Sequence, residues 1–162
     1  MTGHSSITVA NRILTLARKK GIELTPMQLQ KLVYIAHGWS LAILNSALTK
    51  DDIEAWTWGP VYPRLYHETK RYGRRNIDGF LEDDRSFIGK IKYYTIEDNF
   101  SKDEDNIIEH ILKYYGDLHA FQLSALTHNE GTPWTQIYKE KGEGVKIPDD
   151  LIKGHFNEIA GK

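Results

Sequence analysis

Histidine and carboxylate pairs are the first chemistry to look for in a chain with seven histidines and no cysteine. A helical zinc site takes two histidines at i and i+4 with a glutamate beside the first. His4, His37, His67, His110, His119, His128 and His155 offer no such pair. His128 and Glu130 stand two apart, a spacing that suits either a loop ligand pair or a hydrogen-bonded turn. Ser124 precedes His128 by four residues, so the two share a helix face, but a Ser–His nucleophile needs a third group to orient the imidazole. No serine sits in a G-x-S-x-G elbow. Gly142-Glu143-Gly144 lacks the remainder of a nucleotide fingerprint. No metal, cofactor or catalytic residue is expected.

Two other clusters suit contact rather than catalysis. Lys70-Arg71-Tyr72-Gly73-Arg74-Arg75 places four cations around one ring, which suits an anion or nucleic acid, although a charge run at a helix end is more often a solvated face. Just upstream, Trp56, Trp58, Tyr62, Tyr66 and Tyr72 crowd around Gly59-Pro60 and Pro63. Tryptophan and tyrosine offer large rigid area with a polar handle and dominate protein interfaces. About half of this cluster is expected in the core. The rest, with Arg64, Lys70, Arg71 and Arg74, forms a candidate docking surface for a protein partner.

Composition bounds the setting. The 162 residues make one domain, 1–162, with 27% charged and 40% apolar residues, a globular mixture. Twenty-one basic residues against 22 acidic ones give a net charge of −1, without the basic excess of a DNA-binding domain. No apolar run approaches a membrane span and no signal peptide is visible, so a cytoplasmic address is expected and a membrane is not a partner. Nucleic acid is not expected as a partner, and the oligomeric state stays open.

The elements that must position these groups are mainly helical. A first helix is predicted from about Ile7 to Lys20, with Gly21 as its stop. Thr25 and Gln28 form a capping box and Pro26 opens a second helix over 26–44, apolar nearly all round and therefore central. Alternation of Ile53, Ala55 and Thr57 against Glu54, Trp56 and Trp58 predicts a short strand, broken by Gly59-Pro60. Pro60 is then expected to open a third helix running to Tyr72. Asn76–Gly79 reads as a turn, and Ile91–Ile96 as a strand or loop. Ser101 and Glu104 cap a helix carrying Ile107, Ile108, Ile111, Leu112 and Tyr115. The next helix, with Asp117 as its cap, carries Leu118, Phe121, Ala125 and His128. Thr132 and Pro133 start another through Trp134, Ile137 and Tyr138. Val145–Ile147 reads as a short strand, and a final helix places Leu151, Ile152, His155, Phe156 and Ile159 on one side. The expected fold is mainly α, a compact bundle of about six or seven helices around the central one, with two or three short extended segments.

Three segments then read together: Met27 to Trp39 (MQLQKLVYIAHGW), Glu54 to Tyr66 (EAWTWGPVYPRLY) and Leu126 to Trp134 (LTHNEGTPW). In that order and spacing they resemble the Panacea domain, the SocA-like or GepA-like group of phage-associated proteins, from about Ile7 to Ile159. The resemblance implies an antitoxin that neutralises a cognate protein toxin by direct contact. It also implies a wide range of unrelated toxins across the group, and in one member a proteolytic adaptor that delivers its toxin to a ClpXP-type protease. Some members carry an extra DNA-binding segment, which is not expected in this chain.

The matching residues also have physical roles. Lys31, Tyr34 and His37 share one face of the central helix, a polar face that must pair internally or meet a neighbour. Gly59 permits a turn that Pro60 fixes. Trp134, held after Pro133, is expected to plug the bundle while Thr127 and His128 tie down the preceding turn. Trp39, Gly59, Pro60 and Trp134 are expected to build the scaffold. A third reading, a nucleic-acid binder or metal-dependent protein, would rest on His128, Glu130 or the 70–75 run.

Overall fold

Helix α2 (Pro26–Trp39) has ten buried positions in fourteen and touches α1, α3, α4, α5 and α7, so it is the axis of the molecule. The computed structural model describes residues 3–82 and 100–162. The other helices are α1 (Ser6–Lys19), α3 (Pro63–Thr69), α4 (Lys102–Tyr115), α5 (Ala120–His128), α6 (Pro133–Lys141) and α7 (Asp149–Ile159). Three short strands, β1 (Glu54–Trp56), β2 (Gly59–Val61) and β3 (Val145–Lys146), make a small antiparallel sheet in the order β2-β1-β3. The expected mainly α bundle with short extended pieces is therefore the observed architecture.

Local chemistry fixes most helix starts. Ser5 accepts from the Thr8 N–H at 3.1 Å and caps α1. Both predicted capping boxes form: Thr25 with Gln28 on α2, and Ser101 with Glu104 on α4. Each satisfies two amides that a helix leaves without partners. The central helix ends in a π-helical turn, Ser40–Leu44, closed by Asn45 in the left-handed region at φ 55°. Its expected span of 26–44 is thus one α segment plus this wider turn. Arg12 on α1 donates to both carboxylate oxygens of Asp105 on α4, at 2.9 and 2.8 Å, and staples those helices side by side.

Four expectations change. Pro60 does not open a helix; it lies in β2 opposite Ala55, on the edge of the sheet, where a missing N–H costs no ladder bond. Pro63 takes the first turn of α3 instead, and Lys70–Tyr72 continues it as a 3₁₀ turn ended by Gly73. Helix α5 begins after His119, not Asp117, and turns Leu123, Ser124 and Thr127 inward, leaving Phe121 75% exposed. On α7, Ile152 and Phe156 are buried but Ile159 is exposed. The chain bends at Gly79 rather than turning over 76–79, the nearby turn being closed by the Arg75 N–H on the Tyr72 carbonyl at 2.9 Å. The segment Ile91–Ile96 lies outside the described residues.

Candidate functional site

The polar face of α2 is buried from end to end: Lys31 is 1% exposed, Tyr34 2% and His37 1%. Lys31 Nζ donates to the Pro60 carbonyl at 3.0 Å. Among the described residues it has no other hydrogen-bond partner and no carboxylate in reach. Burial pulls its ammonium down from an ordinary 10.5 to about 7. Gly59 is what lets the hairpin approach so closely. Its φ is 115°, and a Cβ there would sit 2.9 Å from Lys31 Nζ and 3.2 Å from Thr127 Oγ1.

Strands β1 and β2 pair with Glu54 opposite Val61 and Trp56 opposite Gly59, leaving Thr57 and Trp58 as the tip. Ile53 and Ala55 face the core, so alternation turns Trp56 outward. Between this hairpin, the start of α2 and α3 runs a cleft of about 430 Å³. Lys31 is among the residues that line it, with Trp56, Trp58 and Tyr66 as its aromatic walls. Trp58 is 61% and Tyr66 41% exposed, and Trp56 meets Tyr66 edge-on at 5.1 Å. Lys70 and Glu143 also line it; Glu143 accepts from the Thr57 hydroxyl at 2.6 Å.

At the other end of the same helix face, everything is paired. The Thr49 N–H donates to His37 Nδ1 at 3.2 Å, so Nε2 carries the proton and donates to Asp149 at 2.8 Å. That bond holds the Asp149 carboxyl below its ordinary 3.8. Thr49 Oγ1 meets Tyr62 Oη at 2.9 Å, and burial raises the Tyr62 phenol well above its usual value. Gln30 clamps the Tyr62 backbone from both sides, its Nε2 donating to the carbonyl at 2.9 Å and its Oε1 accepting from the N–H at 3.0 Å. An Asp–His–Thr chain invites comparison with a nucleophilic triad. Here the imidazole lone pair is already occupied by a backbone amide and the threonine is 2% exposed, so the chain serves as a structural clasp.

Residues 29–135 match the family described as Antitoxin SocA-like, Panacea domain. This chain belongs to that family. It is also 32% identical over 152 residues to Antitoxin SocA of Caulobacter vibrioides (strain NA1000 / CB15N), an alignment covering 91% of this chain and 80% of that protein. No solved structure matches. Membership supports an antitoxin role. No helix among the described residues is long and apolar enough to cross a membrane.

Within the Panacea span lie Lys31, the hairpin, the three aromatic walls of the cleft and the start of α6, whereas Glu143 of the cleft and Asp149 on α7 lie beyond it. The expected scaffold residues of the Panacea domain occupy structural places. Trp134 donates its indole N–H to the Trp56 carbonyl at 2.6 Å, stacks on Tyr138 at 4.5 Å and meets His128 at 5.1 Å. Pro133 is the first residue of α6, after the Thr132 cap. Trp39 packs edge-on against Phe156 at 5.4 Å. Tyr34 Oη is buried without a partner among the described residues.

Of the docking candidates, Trp56, Trp58, Tyr66 and Lys70 come together in the cleft, while Arg71 and Arg74 lie exposed beyond it. Arg64 is partly exposed and stands 3.8 Å from Asp51. Tyr62 is fully buried and Tyr72 7% exposed, so neither presents a surface. Each is held inward by its hydroxyl, Tyr62 on Thr49 and Tyr72 on the Asp78 carbonyl at 2.9 Å. The Ser124 hydroxyl donates to the Trp58 carbonyl at 2.7 Å and the His128 ring rests on the Ser124 carbonyl, so this pair ties down the hairpin. Glu130 pairs with Lys139 at 2.8 Å on the surface. Among the described residues, no three His or acidic side chains gather to hold a metal. Thr49, Gln30 and Asp149 were not singled out by sequence. Gln30 had a signal, an amide set in an apolar helix, but Asp149 read as an ordinary residue after Pro148.

Proposed function

We propose that this protein is an antitoxin that neutralises a cognate protein toxin by direct binding, without making or breaking a bond. The observation that carries the reading is the aromatic cleft. Trp58 at the hairpin tip and Tyr66 on α3 stand exposed in a cleft that buried Lys31 also lines, while the other tryptophans of the fold are partly or wholly packed. Exposed tryptophan and tyrosine around a partly desolvated pocket are what dominate the energy of protein interfaces. The similarity to Antitoxin SocA points the same way. The test is genetic. Expression of the reading frame adjoining this one should arrest growth, and co-expression of this chain should restore it. A harmless neighbour, or arrest that persists in the presence of this protein, overturns the reading.

The adaptor reading has one observation in its favour. Phe121 and Leu126 on α5 and Tyr114 on α4 are 75%, 46% and 64% exposed, and none of them lines the cleft. Exposed apolar side chains away from the cleft are what a second contact, to a ClpXP-type protease, would use. Toxin half-life, followed in cells with and without the protease, decides it: delivery requires loss of toxin only when both proteins are present.

A further inference from the structure

One residue lining the cleft is a buried ammonium with no counter-ion among the described residues. A buried ammonium ordinarily has a carboxylate beside it, because removing a charge from water costs several kcal/mol of hydration (roughly, after relaxation) unless it is repaid. Lys31 is 1% exposed and keeps one carbonyl as its partner, with no carboxylate among the described residues. It nonetheless lines an open cleft of about 430 Å³, enough for one or two side chains. The charges around the cleft are Lys31 and Lys70 against Glu143. Glu143 is held at its hairpin side by the hydroxyls of Thr57 and Tyr138, at 2.6 and 3.3 Å, and does not reach Lys31. The balance favours an anion, and the apolar walls favour one attached to a ring or an aliphatic chain.

We infer that the cleft receives an Asp or Glu side chain from an extended segment of the partner toxin, its carboxylate seated on Lys31 and its apolar neighbour against Trp56, Trp58 and Tyr66. This rests on the reading of the protein as a toxin-binding antitoxin. A protein segment fits better than an enclosed small molecule, because Trp58 and Tyr66 are 61% and 41% exposed and their outer faces extend the binding surface past the pocket. Desolvated charge pairs of this kind also fix register, so one acidic residue at the right place in otherwise dissimilar partners is enough to seat them.

The test has two arms. In the first, the Lys31 side chain of the full-length protein is followed by NMR while pH is varied. Three probes are added in turn: N-acetyl-aspartyl-phenylalaninamide, its asparaginyl analogue and sodium acetate. The aspartyl probe should raise the Lys31 midpoint from about 7 by about one unit or more, a tenfold coupling. The other two should leave it unchanged. No difference between the aspartyl and asparaginyl probes overturns the inference, and acetate acting as strongly as the peptide reassigns the cleft to small anions and overturns it too. The other ionisable side chains lining the cleft are Lys70, Glu143 and Tyr66, and their own signals serve as internal controls.

In the second arm, Lys31→Met and Trp58→Ala are compared with the unaltered chain for binding to the product of the adjoining frame. Each should weaken Kd by at least about thirtyfold, the size expected when one member of a desolvated pair is lost. Trp58→Ala lies on the surface and keeps the measurement valid if Lys31→Met perturbs folding. Should the unaltered chain bind and rescue while both variants bind within about twofold of it, the inference fails and the antitoxin reading stands. Should the unaltered chain fail to rescue, the antitoxin reading fails and the probe titration alone decides the cleft.

Discussion

Two ends of one helix face treat the same problem in opposite ways. At the C-terminal end of α2, His37 is enclosed by Thr49, Asp149 and, through Thr49, Tyr62, with every polar contact met inside the chain. At the N-terminal end, six residues earlier, Lys31 is just as deeply buried and has a single carbonyl. The first arrangement locks α7 and the loop before β1 onto the central helix. The second costs stability and leaves a buried charge with one partner in a residue that lines a cleft. A fold that can satisfy one buried polar group this thoroughly gains nothing structural from leaving the other half-met, which is why the Lys31 end reads as a place for something else to complete.

The contrast can be broken at either end. The largest effect should come from His37→Ala, which deletes a buried ring, orphans the Thr49 amide and releases Asp149; a loss of about 3 kcal/mol is expected in urea unfolding. Next, Lys31→Met should stabilise the protein by about 2 kcal/mol at pH 7, burial cost removed against one lost hydrogen bond. The unfolded chain binds a proton at Lys31 below about 10.5, the folded chain only below about 7. Stability of the unaltered protein therefore falls as pH drops from 10.5 to 7 and levels off beneath, and the variant should lose that slope. Thermal melts across that range check both points.

A smaller change is expected from Asp149→Asn. Its carboxylate is half exposed, so about 1 kcal/mol is the scale. Because its folded pKa lies below the ordinary 3.8, the contribution is present above that pH and is lost as acidity increases through the folded value. The variant should thus unfold with less acid dependence below pH 3.8. Least of all, Trp58→Ala should shift stability by no more than about 0.5 kcal/mol, since its ring is exposed and its carbonyl still accepts from Ser124. A large loss there would mean that the hairpin tip is part of the core after all, and the contrast between the ends would lose its sharper half.

What the sequence made legible was local. Thr25-Pro26 with Gln28, and Ser101 with Glu104, announce their helices within four residues, and the apolar stripe of α4 buries Ile107, Ile108, Ile111 and Leu112 as spaced. The hairpin was half legible: alternation marked β1, but nothing nearby said that Gly59-Pro60 returns along it. That pairing is supported by Trp134, whose indole holds the Trp56 carbonyl, and by β3 on the far side of β1. Pro60 and Pro63 are equivalent as helix openers until the sheet claims one of them. Helix α5 misled for a related reason. Its inward face carries Ser124 and Thr127, which a hydrophobic stripe does not flag, because their hydroxyls serve the hairpin and the preceding turn. The partner of His37 sits 112 residues away, beyond any spacing rule. The aromatic cluster reads in the sequence as half core and half candidate docking surface, and the structure divides it by burial into Tyr62 and Tyr72 within and Trp56, Trp58 and Tyr66 without.

The long reach of the hairpin's supports has a consequence for how the protein is made. β1 is flanked by β2 at once but by β3 only after some ninety further residues, and the Trp134 indole arrives almost as late. Domains emerge from the ribosome N-terminus first. A nascent chain that already holds Lys31 and all three aromatic walls therefore has no rigid groove until α6 and β3 have been translated. Interrupted synthesis yields fragments that carry the cleft's residues without the cleft, so whatever the groove can hold is held by finished molecules rather than initiated ones.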